Sequence, residues 1–160
     1  PVPYGIVEIT PEREYMIVME FFHGAVELSD ARIDESIVDQ GLALVRRLWE
    51  AGLAHRDIKP ANLMVQDGSL RLIDVFFVQV RPSPWRQAVD LANMMLVLAL
   101  GSDPDTVYRV ALRYFSPEEI EESVAPFSSP QKIGRNQRET ENEKKNAESA
   151  NRVVHRSSKY

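Results

Sequence analysis

The residues with the clearest chemical potential are His55-Arg56-Asp57-Ile58-Lys59-Pro60-Ala61-Asn62. Asp57 is a carboxylate that can accept the proton of an attacking hydroxyl. Lys59, two residues on, can reach the same side and stabilise a moving phosphoryl group. Asn62 offers a carbonyl oxygen to a metal without adding negative charge. The bland alternative is a polar surface loop between a helix and a strand. Here the polar types fall at all the positions that phosphoryl transfer requires, a reaction whose catalysis is mostly positioning and charge neutralisation.

Three neighbouring elements must position this stretch. Leu63-Met64-Val65 predicts a strand, Gln66-Asp67-Gly68-Ser69 a turn with an Asp-Gly signal, and Leu70-Arg71-Leu72-Ile73 the return strand. Folding about Gly68 sets Asn62 opposite Asp74, with Cβ atoms about 5 Å apart. An amide oxygen and a carboxylate at that separation can share or flank a Mg²⁺ ion. Upstream, Asp34 is a helix N-cap, Val38, Leu42, Val45 and Trp49 form an apolar stripe with Ile37, Leu44 and Leu48 beside it, and Gly52 is a stop. That helix delivers the loop at its C-terminal end. Downstream, Trp85 to Leu100 is apolar nearly all round, which predicts a helix in the middle of the fold. It contains Asp90 and Asn93. A buried Asp must be paired or hydrogen-bonded; the other reading of Asp90 is a carboxylate answering the helix dipole.

The 55–62 stretch fits the protein-kinase catalytic loop H-R-D-L-x-x-x-N with Ile58 in place of Leu. Over about residues 5–115 the chain resembles the protein-kinase-like superfamily. The resemblance implies an α+β fold: a mainly helical C-terminal lobe with a catalytic β-hairpin, plus a remnant of the small-lobe sheet. It implies a phosphotransferase that uses ATP and Mg²⁺ and acts on a hydroxyl-bearing acceptor on protein, lipid or sugar. Lys59 within the loop is more similar to Ser/Thr kinases. Asp57, Lys59 and Asn62 take the catalytic positions, Asn62 and Asp74 the metal positions, and His55 and Arg56 are scaffolding. Met19-Glu20-Phe21-Phe22-His23-Gly24 is similar to the kinase hinge, where the backbone of Glu20 and Phe22 would meet an adenine edge and Met64 would contact the nucleotide. Asp90 matches the residue that ties down the backbone of the catalytic loop.

The chain also departs from that pattern. Asp74-Val75-Phe76 stands in place of D-F-G. Only sixteen residues separate Asp74 from Asp90 and there is no A-P-E, a spacing similar to RIO-type and bacterial lipopolysaccharide-core kinases. No G-x-G-x-x-G occurs, and Lys59 is the only Lys before residue 132. Two expectations follow. Either the chain is a fragment lacking its N-terminal portion and inactive as given, or it is a pseudokinase-like nucleotide-binding or regulatory module without catalysis.

The remaining sequence frames these elements. Residues 5–9 predict one strand and 15–21 a second, whose continuous apolar run predicts burial. Asp103-Pro104 opens a helix through Phe115, and Ser116-Pro117-Glu118-Glu119 is a capping box leading a helix to about Val124. Residues 1–127 are expected to form a partial kinase-like domain, and 128–160 a polar, disordered tail with a weak helix around Arg138 to Ala150. The charge divides accordingly, −9 over residues 1–127 and +4 over 128–160. An acidic body argues against nucleic acid as the main partner. The chain has no Cys, no leader pattern and no transmembrane run of 18 uncharged apolar residues, which together predict a cytoplasmic protein.

Overall fold

Apolar side chains at helical spacing build the centre of the structure. The computed structural model describes residues 1–10 and 14–128. Over them the chain is α+β, with four helices and three small antiparallel sheets. Residues Pro1–Ser123 form one unit. The expected weak helix around Arg138 to Ala150, and the polar tail from residue 129 on, lie outside the described residues.

Helix α1 (Glu35–Glu50) begins where the Asp34 carboxylate accepts a hydrogen bond from the Ile37 N–H at 3.1 Å. Val38, Leu42 and Val45 are fully buried, and Trp49 packs against the core they form. The helix stops at Gly52, which has φ +66° and donates its N–H to Trp49 O. Only a residue without Cβ adopts that conformation at little cost.

Helix α2 (Pro84–Gly101) lays Leu91, Met94 and Leu98 against α1. The approach is close at Gly41, where a Cβ would lie 3.1 Å from both Leu98 Cδ1 and Met94 Sδ. Contrary to expectation, α2 is not buried all round: Leu96 is 56% and Leu100 76% exposed. The helix packs on α1, on β4 (Leu53–Ala54) and on α3 (Pro104–Ala111), and these leave its outer side to solvent among the described residues.

Helix α3 is shorter than the sequence predicts. After Ala111 the chain tightens: Arg113 N–H bonds to Val110 O and Tyr114 N–H to Ala111 O. The tightening turns Phe115 inward, edge-on to Trp49 with ring centroids 5.1 Å apart. Helix α4 (Pro117–Ser128) opens on the expected capping box. Ser116 N–H donates to Glu119 Oε2 at 2.8 Å, and Glu119 N–H to Ser116 Oγ at 3.2 Å. It runs past the expected end near Val124 to Ser128.

Strands β1 (Pro3–Thr10) and β2 (Glu14–Met19) pair antiparallel. The expectation that β2 is buried is corrected: Met16 is 49% and Ile17 52% exposed. A two-stranded ribbon has two open faces, and among the described residues no second layer covers them.

The hairpin β5 (Leu63–Gln66) and β6 (Ser69–Leu72) forms as predicted but in a different register. Leu63 pairs with Leu72 and Gln66 with Ser69. Asp67 (φ +49°) and Gly68 (φ +70°) make a two-residue loop in the left-handed region, the turn whose twist suits a hairpin. The fold axis therefore lies between Asp67 and Gly68, not on Gly68, and each pair shifts by one. Asn62 faces Ile73, whose N–H donates to Asn62 O at 2.9 Å; Asp74 lies one residue beyond. On the outer edge β3 (Val26–Glu27) pairs with β5, and elsewhere β4 pairs with β7 (Gln79–Val80). Gln40 of α1 fixes the hairpin by donating to Gly68 O and accepting from Leu70 N–H, both at 2.9 Å.

Candidate functional site

The 55–62 loop is anchored at alternate positions. Ile58 is buried in the core, while Asp57 on one side is partly accessible and Lys59 on the other is exposed. An apolar residue between two charged ones thus pins the backbone and leaves both charges outside. Asp57 Oδ2 accepts from Lys59 Nζ at 2.7 Å and from Asn62 Nδ2 at 2.9 Å. Asn62 Nδ2 also donates to the Asp57 carbonyl at 2.9 Å. Both partners of the amide are acceptors, so its NH₂ must face them and its Oδ1 is left for a ligand. Asp57 Oδ1 likewise makes no hydrogen bond among the described residues. The Lys59 ammonium, and secondarily the Asn62 amide, hold the Asp57 carboxyl below its usual range.

Asp90 holds the loop from behind. It is 1% exposed and lies beyond the first turn of α2, so it does not serve the helix dipole. Its Oδ2 accepts from His55 N–H at 2.5 Å and its Oδ1 from Arg56 N–H at 2.8 Å. Arg56 has φ +69°, a left-handed conformation that costs a side-chain-bearing residue about 1–2 kcal/mol. The two charge-assisted bonds offset that strain. Burial pushes the Asp90 carboxyl above its usual value, opposed by the two N–H donors. His55 is 1% exposed, and its Nε2 lies 3.1 Å from Ile73 O. A carbonyl can only accept, so Nε2 carries the proton, while the buried Nδ1 has no partner among the described residues. His55 thereby fastens the loop to the end of the hairpin.

A cavity of about 720 Å³ opens beside the hairpin, lined among others by Met19, Glu20, Phe22, Met64, Asp74 and Phe76. It gathers the three expected nucleotide-contact residues, Glu20, Phe22 and Met64, with one expected metal position, Asp74. Glu20 N–H donates to Val2 O, and Phe22 O accepts from Ala25 N–H. The Glu20 carbonyl and the Phe22 N–H make no hydrogen bond among the described residues. One acceptor and one donor are thus available to the edge of a heterocycle. Asp74 is exposed, with φ +61°, and among the described residues its Oδ1 accepts only from Phe76 N–H at 3.3 Å.

The structure does not set Asn62 and Asp74 directly opposite each other, because of the register shift. Among the described residues no three His, Asp or Glu side chains converge to hold a metal. The hard-oxygen donors of the kind Mg²⁺ takes are Asn62 Oδ1 and the Asp74 carboxylate. Two contacts escaped the sequence reading. Gln66 Nε2 donates to His23 O at 2.9 Å, tying the 19–24 segment to the hairpin, and the Arg71 guanidinium lies 5.6 Å from the centre of the Phe22 ring. The alternation of β6 gives Arg71 an outward position, but its partner is 49 residues away in sequence and left no local signal.

The chain matches no known protein-family model, and no curated protein shows significant similarity to it. No helix among the described residues is long and apolar enough to cross a membrane.

Proposed function

We propose that the chain is an ATP- and Mg²⁺-dependent phosphotransferase acting on a hydroxyl-bearing acceptor, built on the C-terminal-lobe portion of a protein-kinase-like fold. The observation that carries this reading is the Asp57 carboxylate with Lys59 Nζ at 2.7 Å and Asn62 Nδ2 at 2.9 Å on one oxygen, in a loop whose backbone is clamped by Asp90 at His55 and Arg56. The hairpin that follows Asn62 contributes Met64 to the neighbouring cavity, and Asp74 at its end joins the lining.

In this reading Asp57 Oδ1 takes the proton of the acceptor hydroxyl. With Lys59 bound to it, Asp57 is a weak base. Lys59 is half-exposed on a flexible stem and can swing to the oxygens of the transferred group. Asp57 then loses its cation and becomes a better base at the moment charge develops on the transferred group. Asn62 would keep the Asp57 carboxylate oriented through both states. Asn62 Oδ1 and Asp74 would hold Mg²⁺, which when bound neutralises phosphate charge.

A second reading, nucleotide binding without transfer, is favoured by one observation: the charged side chains lining the cavity are both carboxylates, Glu20 and Asp74. Calorimetric titration of Mg²⁺-ATP into this chain and into Asp74→Ala tests the site. Binding that requires both Mg²⁺ and Asp74 is expected, and binding indifferent to either refutes the metal assignment. In a form of the protein with measurable turnover, Asp57→Asn is expected to lower kcat by roughly 10²–10⁴. Transfer at the wild-type rate in that variant sinks the enzymatic reading, and binding with no measurable transfer by wild type favours the second.

A further inference from the structure

Between Asp74 and α2 the chain makes a bend whose corners are apolar. Val78 N–H donates to Val75 O at 3.1 Å and closes a tight turn with Phe76 and Phe77 at its two corners. Such corners ordinarily take Gly, Pro, Asn, Asp or Ser, whose backbones or short side chains favour the bend. Phe76 is 84% and Phe77 48% exposed, and their rings meet edge-on with centroids 5.0 Å apart. Val75 is exposed beside them, as is Phe21, which lines the same cavity as Phe76. Two adjacent rings at the corners of a turn make a projection, not a groove.

The charge around this projection differs from that of the body. Ala54 pairs with Gln79 and Leu53 with Val80, so Arg56 leaves the β4–β7 pair at the same end as the turn, and Arg81 follows at the other end. Both arginines are exposed, and their side chains make no hydrogen bond or ion pair among the described residues. Residues 75–89 carry Arg81 and Arg86 and no carboxylate, although residues 1–127 sum to −9. Of the neighbouring carboxylates, Asp57 is paired with Lys59 at 2.7 Å. Glu20 and Asp74 in the cavity lining are matched in number by the Pro1 ammonium of that lining and by Arg71, over the Phe22 ring. We propose that the Phe76–Phe77 turn is a membrane contact, by which the chain docks on an anionic lipid surface. Projecting rings need a partner that yields around them. The boundary between headgroups and acyl chains does so, whereas a protein must offer a matching pocket. Apolar rings beside basic side chains suit that boundary, because the rings enter it while the guanidinium groups stay among anionic headgroups. The proposal goes beyond the phosphotransfer reading and does not rest on it.

The test is cosedimentation of the whole chain with vesicles of phosphatidylcholine alone, and of phosphatidylcholine mixed with phosphatidylglycerol, at low and at high ionic strength. The mixed vesicles are expected to hold the chain about fivefold more strongly than the neutral ones, and the gain to fade in salt. Replacing both rings, Phe76→Ser with Phe77→Ser, is expected to lower partitioning about tenfold or more, and Phe76→Ser alone about threefold. Ser suits the corner of a turn, and a thermal melt matching wild type checks that each variant is folded. Ile6→Thr, an exposed change on the β1–β2 ribbon, is expected to leave partitioning unchanged. No sedimentation with the mixed vesicles, sedimentation indifferent to the Phe changes, or an equal loss in Ile6→Thr overturns the proposal. So does a wild-type dimer in size-exclusion chromatography that becomes monomeric in the double variant, which gives the rings to a second copy of this chain. None of these readouts involves nucleotide, so the phosphotransfer reading stands or falls apart from them.

Discussion

Replacing Asp90 by Asn removes one of the two acceptors that hold the backbone at residues 55 and 56. Asn keeps a single carbonyl oxygen, and its NH₂ then faces the other N–H donor. One buried N–H is orphaned at a cost of about 1–3 kcal/mol, and the remaining bond falls from a charge-assisted one of about 1.5–3 kcal/mol to a neutral one of about 0.5–1.5 kcal/mol. Relief from burying a carboxylate offsets part of this. The net loss is about 2–4 kcal/mol, a large fraction of the ~5–15 kcal/mol that holds a domain folded. The left-handed Arg56, at φ +69°, then lacks its restraint and relaxes, taking Asp57 with it. Urea unfolding followed by circular dichroism measures the loss. A change below about 0.5 kcal/mol, the range of an inert surface substitution, refutes the clamp. The pH dependence gives a second check. Burial raises the Asp90 pKa above its ordinary value, so in the window just above that value the folded state binds more protons than the unfolded one. The Asp90 contribution to stability therefore falls as pH rises through the window. The advantage of wild type over Asp90→Asn is larger at about pH 4 than at about pH 7.

Two further outcomes follow from the same geometry. Lys59→Met removes the main cause of the lowered Asp57 pKa, so that carboxyl moves up toward its ordinary range and the acid limb of any pH–rate profile shifts to higher pH. An unshifted limb contradicts the pairing, and because Lys59 is half-exposed the change in folding stability is expected to stay under about 1 kcal/mol. Gly68→Ala meets no atom within 4 Å, so its cost is purely that of the φ +70° backbone, about 1 kcal/mol in a thermal or urea melt; a neutral result shows that the turn can adopt another form.

Several features were legible because their causes are local. The Asp34 cap, the Gly52 stop and the Ser116/Glu119 capping box each depend on residues within four positions of one another, and each forms as expected. The α1 stripe is legible because helical periodicity maps onto a single buried face. The burial of β2 was misread because a run of apolar residues records what a strand could bury, not whether another layer is there to receive it.

The sequence by itself determined that Asp57, Lys59 and Asn62 come together, since six residues of loop with Ile58 as an internal anchor leave them little else to do. It also determined that a hairpin follows, because Asp67-Gly68 suits a two-residue turn. The register of that hairpin was decided by where the left-handed pair sits, a one-residue difference that moved Asn62 from Asp74 to Ile73. That Asp90, 35 residues from His55, holds the loop backbone, and that Glu20, Phe22, Met64 and Asp74 come to one place, was expected only through the family resemblance; the tertiary structure supplies the contacts themselves. Those contacts depend on how α2 and the β1–β2 ribbon are brought to the hairpin. Non-local packing of this kind is fixed by the combined burial of side chains from many segments, and no local spacing in the chain encodes it.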